Sequence, residues 1–213
     1  MRFTENEMVF FNSITKGNDV FGIPLKFRPQ ESHEEEVKKT IQGLMKKGVL
    51  ASETELTKQG LLPARALECY KESQNHIIIN YLHIALLDKK EAIVIIPLKN
   101  HEYEMLRLPR VAVLYLLLEK YPILRTGTVA GKEKPQVEDI DTFLRELKEC
   151  KENIMVGEFQ ENTLIREWVY FWKEDRIFEY DLNRQLKKGV DAVQIRRELL
   201  RLLAINEEVE NYA

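Results

Sequence analysis

Cysteine is scarce in this sequence: among 213 residues only Cys69 and Cys150 carry a thiol, and neither belongs to a Cys-x-x-Cys pair. That excludes a thiolate metal cluster and a disulfide framework. It leaves two buried free thiols, or one disulfide if the compartment is oxidising. Long apolar runs are also missing. The longest candidate, Ile77–Leu87, falls far short of the ~20 residues a membrane helix needs, so membrane insertion is not expected. No sign of charge dominates either. The 32 basic and 35 acidic side chains leave a net charge of −3, which gives no general attraction to nucleic acid or to an anionic bilayer. The opening residues MRFTENEMVFFNS place acids inside the apolar run and offer no small-residue cleavage site, so a secretory signal is not expected. Together these absences point to a cytoplasmic protein.

Recognisable reaction chemistry is missing as well. The four histidines, His33, His76, His83 and His101, form no pair at metal-ligand helix spacing and have no cysteine beside them. His76 and His83 are an odd number of residues apart, which predicts opposite faces of a sheet if one strand carries both. No Gly-x-Ser-x-Gly or dinucleotide fingerprint occurs. The segment Arg125–Pro135, RTGTVAGKEKP, superficially suggests a phosphate loop. Its glycines are one residue too close, and Glu133 stands where Ser or Thr should hold magnesium, so it reads as a surface loop. The acids are scattered among lysines in the manner of solvated helix faces. No enzyme activity, cofactor or metal is expected.

What is present is an alternation of helical and extended segments that predicts an α+β fold with a largely antiparallel central sheet. Thr4-Glu-Asn-Glu7 and Ser32-His-Glu-Glu35 are capping boxes, in which hydroxyl and carboxylate satisfy each other's backbone N–H groups. They open helices running to about Thr15 and to Gly48. A third helix leads from LTKQG to Tyr70. Asn75–Leu98 then holds two apolar arms around the charged turn Asp88–Glu91, predicting a long hairpin. Glu102–Leu108 reads as a strand, and Pro109 opens the helix Val111–Lys120. That helix is apolar nearly all round, so it should be covered on more than one side. Another helix carries Val137, Ile140, Phe143, Leu144 and Leu147. Strands follow at Asn153–Phe159, Thr163–Lys173 and Arg176–Leu182, and Asp191 caps the last helix.

The order helix, capped helix, KGVL, excursion and helix over residues 1–73 looks like a winged-helix module. Residues 74–213 form the sheet part, and the two are expected to pack as one unit. Winged-helix modules often bind DNA, but here Glu34, Glu35 and Glu36 occupy the helix start that would meet the phosphates. Nucleic acid is therefore not the expected partner.

Two hairpins, Ile79–Ile96 and Ile165–Leu182, carry their charged turns at the same place, and an apolar helix follows each. This predicts two strand–strand–helix units in quasi-twofold arrangement, their sheets joined so that edges are buried. In the second hairpin, Trp168, Tyr170 and Trp172 fall on one face by period-two geometry, and Val169 and Phe171 on the other. One reading is a strand buried on both sides. The other is a docking surface built from Trp168, Tyr170, Trp172, Phe178 and Tyr180, because large aromatics dominate binding hot spots.

Four segments together give the chain its likeness to a known family. They are FTENEMVFFNSI, KKGVLASETELTKQGLLPARALECY, HIIINYLHIALLDKKEAIVII and REWVYFWKEDRIFEYDL. In layout and hydrophobicity they resemble the EspG family of type VII secretion chaperones, and more closely relatives in low-GC Gram-positive bacteria. The resemblance implies a non-enzymatic cytosolic chaperone or adaptor that binds a helical secreted substrate and keeps it soluble. Its binding surface is expected in the second half, at the five aromatics named above and in the loop Arg125–Pro135. The rival expectation is a winged-helix transcription regulator with a C-terminal ligand-sensing α+β part.

Overall fold

The computed structural model of the chain describes residues 1–29, 32–127 and 134–205. The elements run β1 (Arg2–Thr4), α1 (Glu5–Ile14), α2 (His33–Lys46), β2 (Leu50–Ser52), β3 (Glu55–Leu56) and α3 (Lys58–Glu72). Then come β4 (Asn75–Ile79), β5 (Leu82–Leu86), β6 (Glu91–Pro97), β7 (Glu102–Pro109) and α4 (Arg110–Lys120). The rest comprises β8 (Gln136–Val137), α5 (Ile140–Glu149), β9 (Glu152–Gln160), β10 (Thr163–Lys173), β11 (Arg176–Asp181), β12 (Leu186–Val190) and α6 (Ala192–Leu202). The fold is α+β. No helix among the described residues is long and apolar enough to cross a membrane.

Ten strands make one antiparallel sheet in the order β1, β7, β6, β5, β4, β9, β10, β11, β12, β8. Two four-strand meanders, β4 to β7 and β9 to β12, meet where Ile79 faces Val156. The two expected hairpins are the inner strands of these meanders, β5–β6 and β10–β11, and they lie in this one continuous sheet. The Glu174-Asp175 turn forms where the pattern predicts it, with both residues at positive φ.

The first arm of Asn75–Leu98 differs from expectation. It is not one strand, because Asn80, at φ 52°, reverses the chain in a two-residue turn with Tyr81. Asn tolerates this left-handed backbone where β-branched residues do not. The extra reversal corrects the histidine placement too. His76 faces Ala85 while His83 faces Ile78, so the two rings share one face of the sheet.

Both faces are covered. On one, α4 and α6 lay Val113, Leu117, Ile195 and Leu199 over Ile84, Val94, Ile154 and Tyr170. On the other, the N-terminal helices and α3 cover the first meander, and α5 covers the second. Residues on either side of position 73 share that second layer: Phe11, Leu44, Leu67 and Tyr70 pack with Ala85, Ile93 and Ile95. All three predicted caps at Thr4, Ser32 and Asp191 form capping boxes. They fix where α1, α2 and α6 leave the preceding extended chain.

Candidate functional site

The aromatic strand β10 is interior. Trp168 and Tyr170 lie beneath α4 and α6, and Phe171 packs with Tyr180 on the opposite face under α5. Phe143 of α5 stacks on Tyr180 at 4.0 Å, and the Tyr180 hydroxyl donates to the Glu138 carbonyl at 2.8 Å. Trp172 and Phe178 are half-buried, with Lys151 over the Trp172 ring and Lys187 over the Phe178 ring. The five aromatics of the expected docking surface are thus divided between two faces. Trp168, Tyr170 and Tyr180 are withdrawn into the core, which is the double-sided burial that a central strand demands. Of the loop Arg125–Pro135, residues 128–133 lie outside the described residues.

One exposed apolar patch lies on α4; Leu61 and Leu62 of α3, Ile140 and Leu144 of α5, and Leu164 and Ile165 of β10 are exposed as well. Val111 is 45% exposed and Tyr115 67%, one helical turn apart on the outward side, and Leu116, 41% exposed, lies on the flank between Tyr115 and the packed Val113. Among the described residues, the helix is packed at Val113 and Leu117 and partly covered at Leu114 and Leu118, which is less cover than its all-round apolarity predicts. Its sheet side, Val113 and Leu117, is fully packed, and its outer side has no cover among the described residues. The other helix on this face contrasts with it. The exposed residues of α6 are Val193 together with the polar Gln194, Arg197 and Arg201, and Arg201 is braced by Glu158 at 2.8 Å and Glu198 at 2.9 Å.

Beside the C-terminal half of α4 opens a cleft of about 500 Å³ over β5 and β6, lined by Leu82, Val94, Ile96, Val113 and Leu116 with Glu119 and Lys120 at its rim. Its polar edge is held in place. The Lys120 ammonium sits 4.2 Å from the centre of the Tyr81 ring, and Tyr121 accepts from the Asn80 side-chain amide at 3.0 Å. Burial pushes the Tyr121 hydroxyl pKa up, the Asn80 hydrogen bond opposes that shift, and the phenol stays neutral. Such a surface can bury apolar atoms of a partner but offers no nucleophile or acid–base pair. Among the described residues, no three His, Cys, Asp or Glu side chains are grouped to hold a metal ion.

A family model covers residues 1–211, nearly the whole chain, and its description is Domain of unknown function (DUF5081). The chain belongs to the DUF5081 family. No curated protein matches this DUF5081 chain. Sequence reasoning did not single out the exposed Tyr115 and Leu116, although a signal was there in the all-round apolarity of α4. A helix with more apolar faces than its own fold can cover has surface left for something else.

Proposed function

We propose that this DUF5081 chain is a non-enzymatic cytosolic chaperone or adaptor that covers helical substrates of a type VII secretion system. The observation that carries this reading is the uncovered apolar side of α4 with its adjoining cleft. Exposed apolar side chains beside a cleft are the kind of surface that a protein partner covers. Segment layout adds the EspG-like resemblance, and that resemblance supplies the substrate class.

The strand order supports a quasi-twofold architecture. Each half then consists of a short edge strand, a helix, a four-strand meander and a final helix, with the axis between β4 and β9. β1 and β8 each pair with the last strand of the meander in their own half. The strand–strand–helix unit visible in the sequence is the interior of this larger unit. The stretch from α1 to β3 interrupts the first copy, and together with α3 it makes up the segment with the winged-helix likeness. Glu34, Glu35 and Glu36 in the first turn of α2 count against a DNA-binding use of it.

Capture with the tagged chain from its native cytoplasm, followed by mass spectrometry, tests the function. Recovery of small helical secreted proteins is the expected result. Specific duplex DNA binding that weakens steeply with salt overturns the reading.

A further inference from the structure

The two meanders can be aligned rung by rung from their central turns. Leu86 faces Ala92 and Trp172 faces Ile177, each one rung before the last of its hairpin. Counting back along the second strands sets Leu82 against Trp168. Counting along the third sets Val94 against Glu179 and Ile96 against Asp181. The helices align independently by their N-caps, Pro109 and Asp191, which set Val113 against Ile195 and Leu116 against Glu198. Burial agrees with this alignment: Val113 and Leu117 are buried like Ile195 and Leu199, and Val111 is exposed like Val193.

In the second half, the space bounded by these positions is filled by the chain itself. The Arg166 guanidinium lies 4.4 Å from the Trp168 ring centre and reaches Glu179 at 2.5 Å, Asp181 at 3.3 Å and Glu198 at 3.5 Å. Each of those four residues has its counterpart in the lining of the open cleft: Leu82, Val94, Ile96 and Leu116. The residue aligned with Arg166 is Asn80, which turns the chain and bonds Tyr121 and Met155 instead of entering the space. One half thus has an acidic, aromatic receptacle with a cationic side chain seated in it. The other has a largely apolar receptacle that no side chain among the described residues fills in the way Arg166 fills its counterpart.

We infer that the cleft between α4 and strands β5–β6 is a receptor for one large apolar side chain presented by an amphipathic helix of a partner protein. The chemistry of the lining selects the occupant. Three carboxylates and an indole match a guanidinium, whereas five aliphatic side chains, with only the neighbouring Glu119 and Lys120 charged, match an aliphatic or aromatic group and disfavour a charged one, which would be desolvated among them. The outer ridge of α4, Val111 and Tyr115, runs beside the cleft and gives a second helix something to pack along while its anchor enters. This inference deepens the chaperone reading and rests on it for the helical partner. The pocket chemistry itself is testable without any natural substrate.

The test is a methyl-detected NMR titration of the full chain with side-chain analogues. Indole, toluene and n-propylguanidinium are added separately, and then host amphipathic helical peptides that differ only in a central Leu, Trp or Arg. The inference predicts that indole and toluene shift the methyls of Leu82, Val94, Ile96, Val113 and Leu116, that n-propylguanidinium does not, and that Leu116→Trp abolishes the shifts by filling the cleft. The Leu and Trp peptides should bind at least tenfold more tightly than the Arg peptide. Shifts centred elsewhere, equal binding of n-propylguanidinium, or no binding up to the solubility of toluene overturns it. An extended apolar peptide that outcompetes the helical ones also overturns it. Fragment binding and helix preference without recovery of secreted helical proteins from cytoplasm removes the secretion reading alone. Recovery of those proteins unaffected by Leu116→Trp removes this inference alone.

Discussion

Arg166 lies over Trp168, its guanidinium carbon 4.4 Å from the ring centre, and from there it ties β11 to α6 through Glu179, Asp181 and Glu198. Glu179 and Asp181 are both buried, so this cation, together with Lys188 at Glu179, offsets charges that little water reaches. Arg166→Leu removes it. Lys188 stays 2.9 Å from Glu179, and the backbone N–H groups of Asn183 and Arg184 still donate to Asp181. The expected loss therefore falls toward the low end of the ~3–5 kcal/mol typical of a broken buried pair. Urea unfolding at neutral pH measures it, and the double variant Arg166→Leu/Glu179→Leu should recover part of the loss.

Acid should weaken the fold through His83. This ring lies under the Phe21–Gly22 segment, and neither His83 Nδ1 nor His76 Nδ1 has a hydrogen-bond partner among the described residues. Burial, with His76 beside it, pushes the His83 pKa down to about 4 from an ordinary 6.5. A histidine with a depressed folded pKa contributes stability that is present above 6.5 and is lost as pH falls toward 4. Every tenfold weakening of the ring's proton affinity on folding corresponds to ~1.4 kcal/mol. Between pH 6.5 and 5, where few carboxylates titrate, unfolding free energy should fall more steeply for the wild type than for His83→Gln. Parallel profiles would show that the ring is not buried neutral.

Gly60 marks a contact with no room for a side chain. A Cβ there would lie 2.0 Å from the Val49 carbonyl oxygen, where the first turn of α3 crosses the chain leading into β2. Gly60→Ala forces backbone apart and should cost at least the ~1–3 kcal/mol of an overpacked core site. Gly17→Ala is the control. Nothing lies within 4 Å of that Cβ, and only its φ of +62° opposes the change, so ~1 kcal/mol is expected. Thermal or urea denaturation of the two variants should rank them in that order.

Much of the fold was legible because local chemistry determines it. The caps at Thr4, Ser32 and Asp191, the Glu174-Asp175 turn and the Ile- and Val-rich strands announce themselves within a few residues of sequence. The Asn80-Tyr81 reversal was hidden because apolar residues flank it on both sides, and one Asn is a weaker turn signal than a charged patch. The paired edge strands β1 and β8, three and two residues long, carry no periodicity to detect. At the candidate site, the richest aromatic strand proves to be largely interior. Trp168 and Tyr170 are large because the space under α6 is large, and period-two spacing cannot tell which face a helix will later cover. Tyr115 and Leu116 became conspicuous only once the packed side of α4 was known.

The outer residues of α4 should be dispensable for folding. Tyr115 and Leu116 are exposed, so Tyr115→Glu/Leu116→Glu should leave the unfolding free energy within ~0.5 kcal/mol of wild type, as for ordinary surface substitutions. A larger loss would mean that the face is internal packing after all.

Side-by-side capture from native cytoplasm with wild type and Tyr115→Glu/Leu116→Glu tests the central claim most directly. The account predicts that small helical secreted proteins co-purify with the wild type and are lost with the folded variant. Retention of the same proteins by the variant, or enrichment of duplex DNA in place of helical proteins, would contradict it.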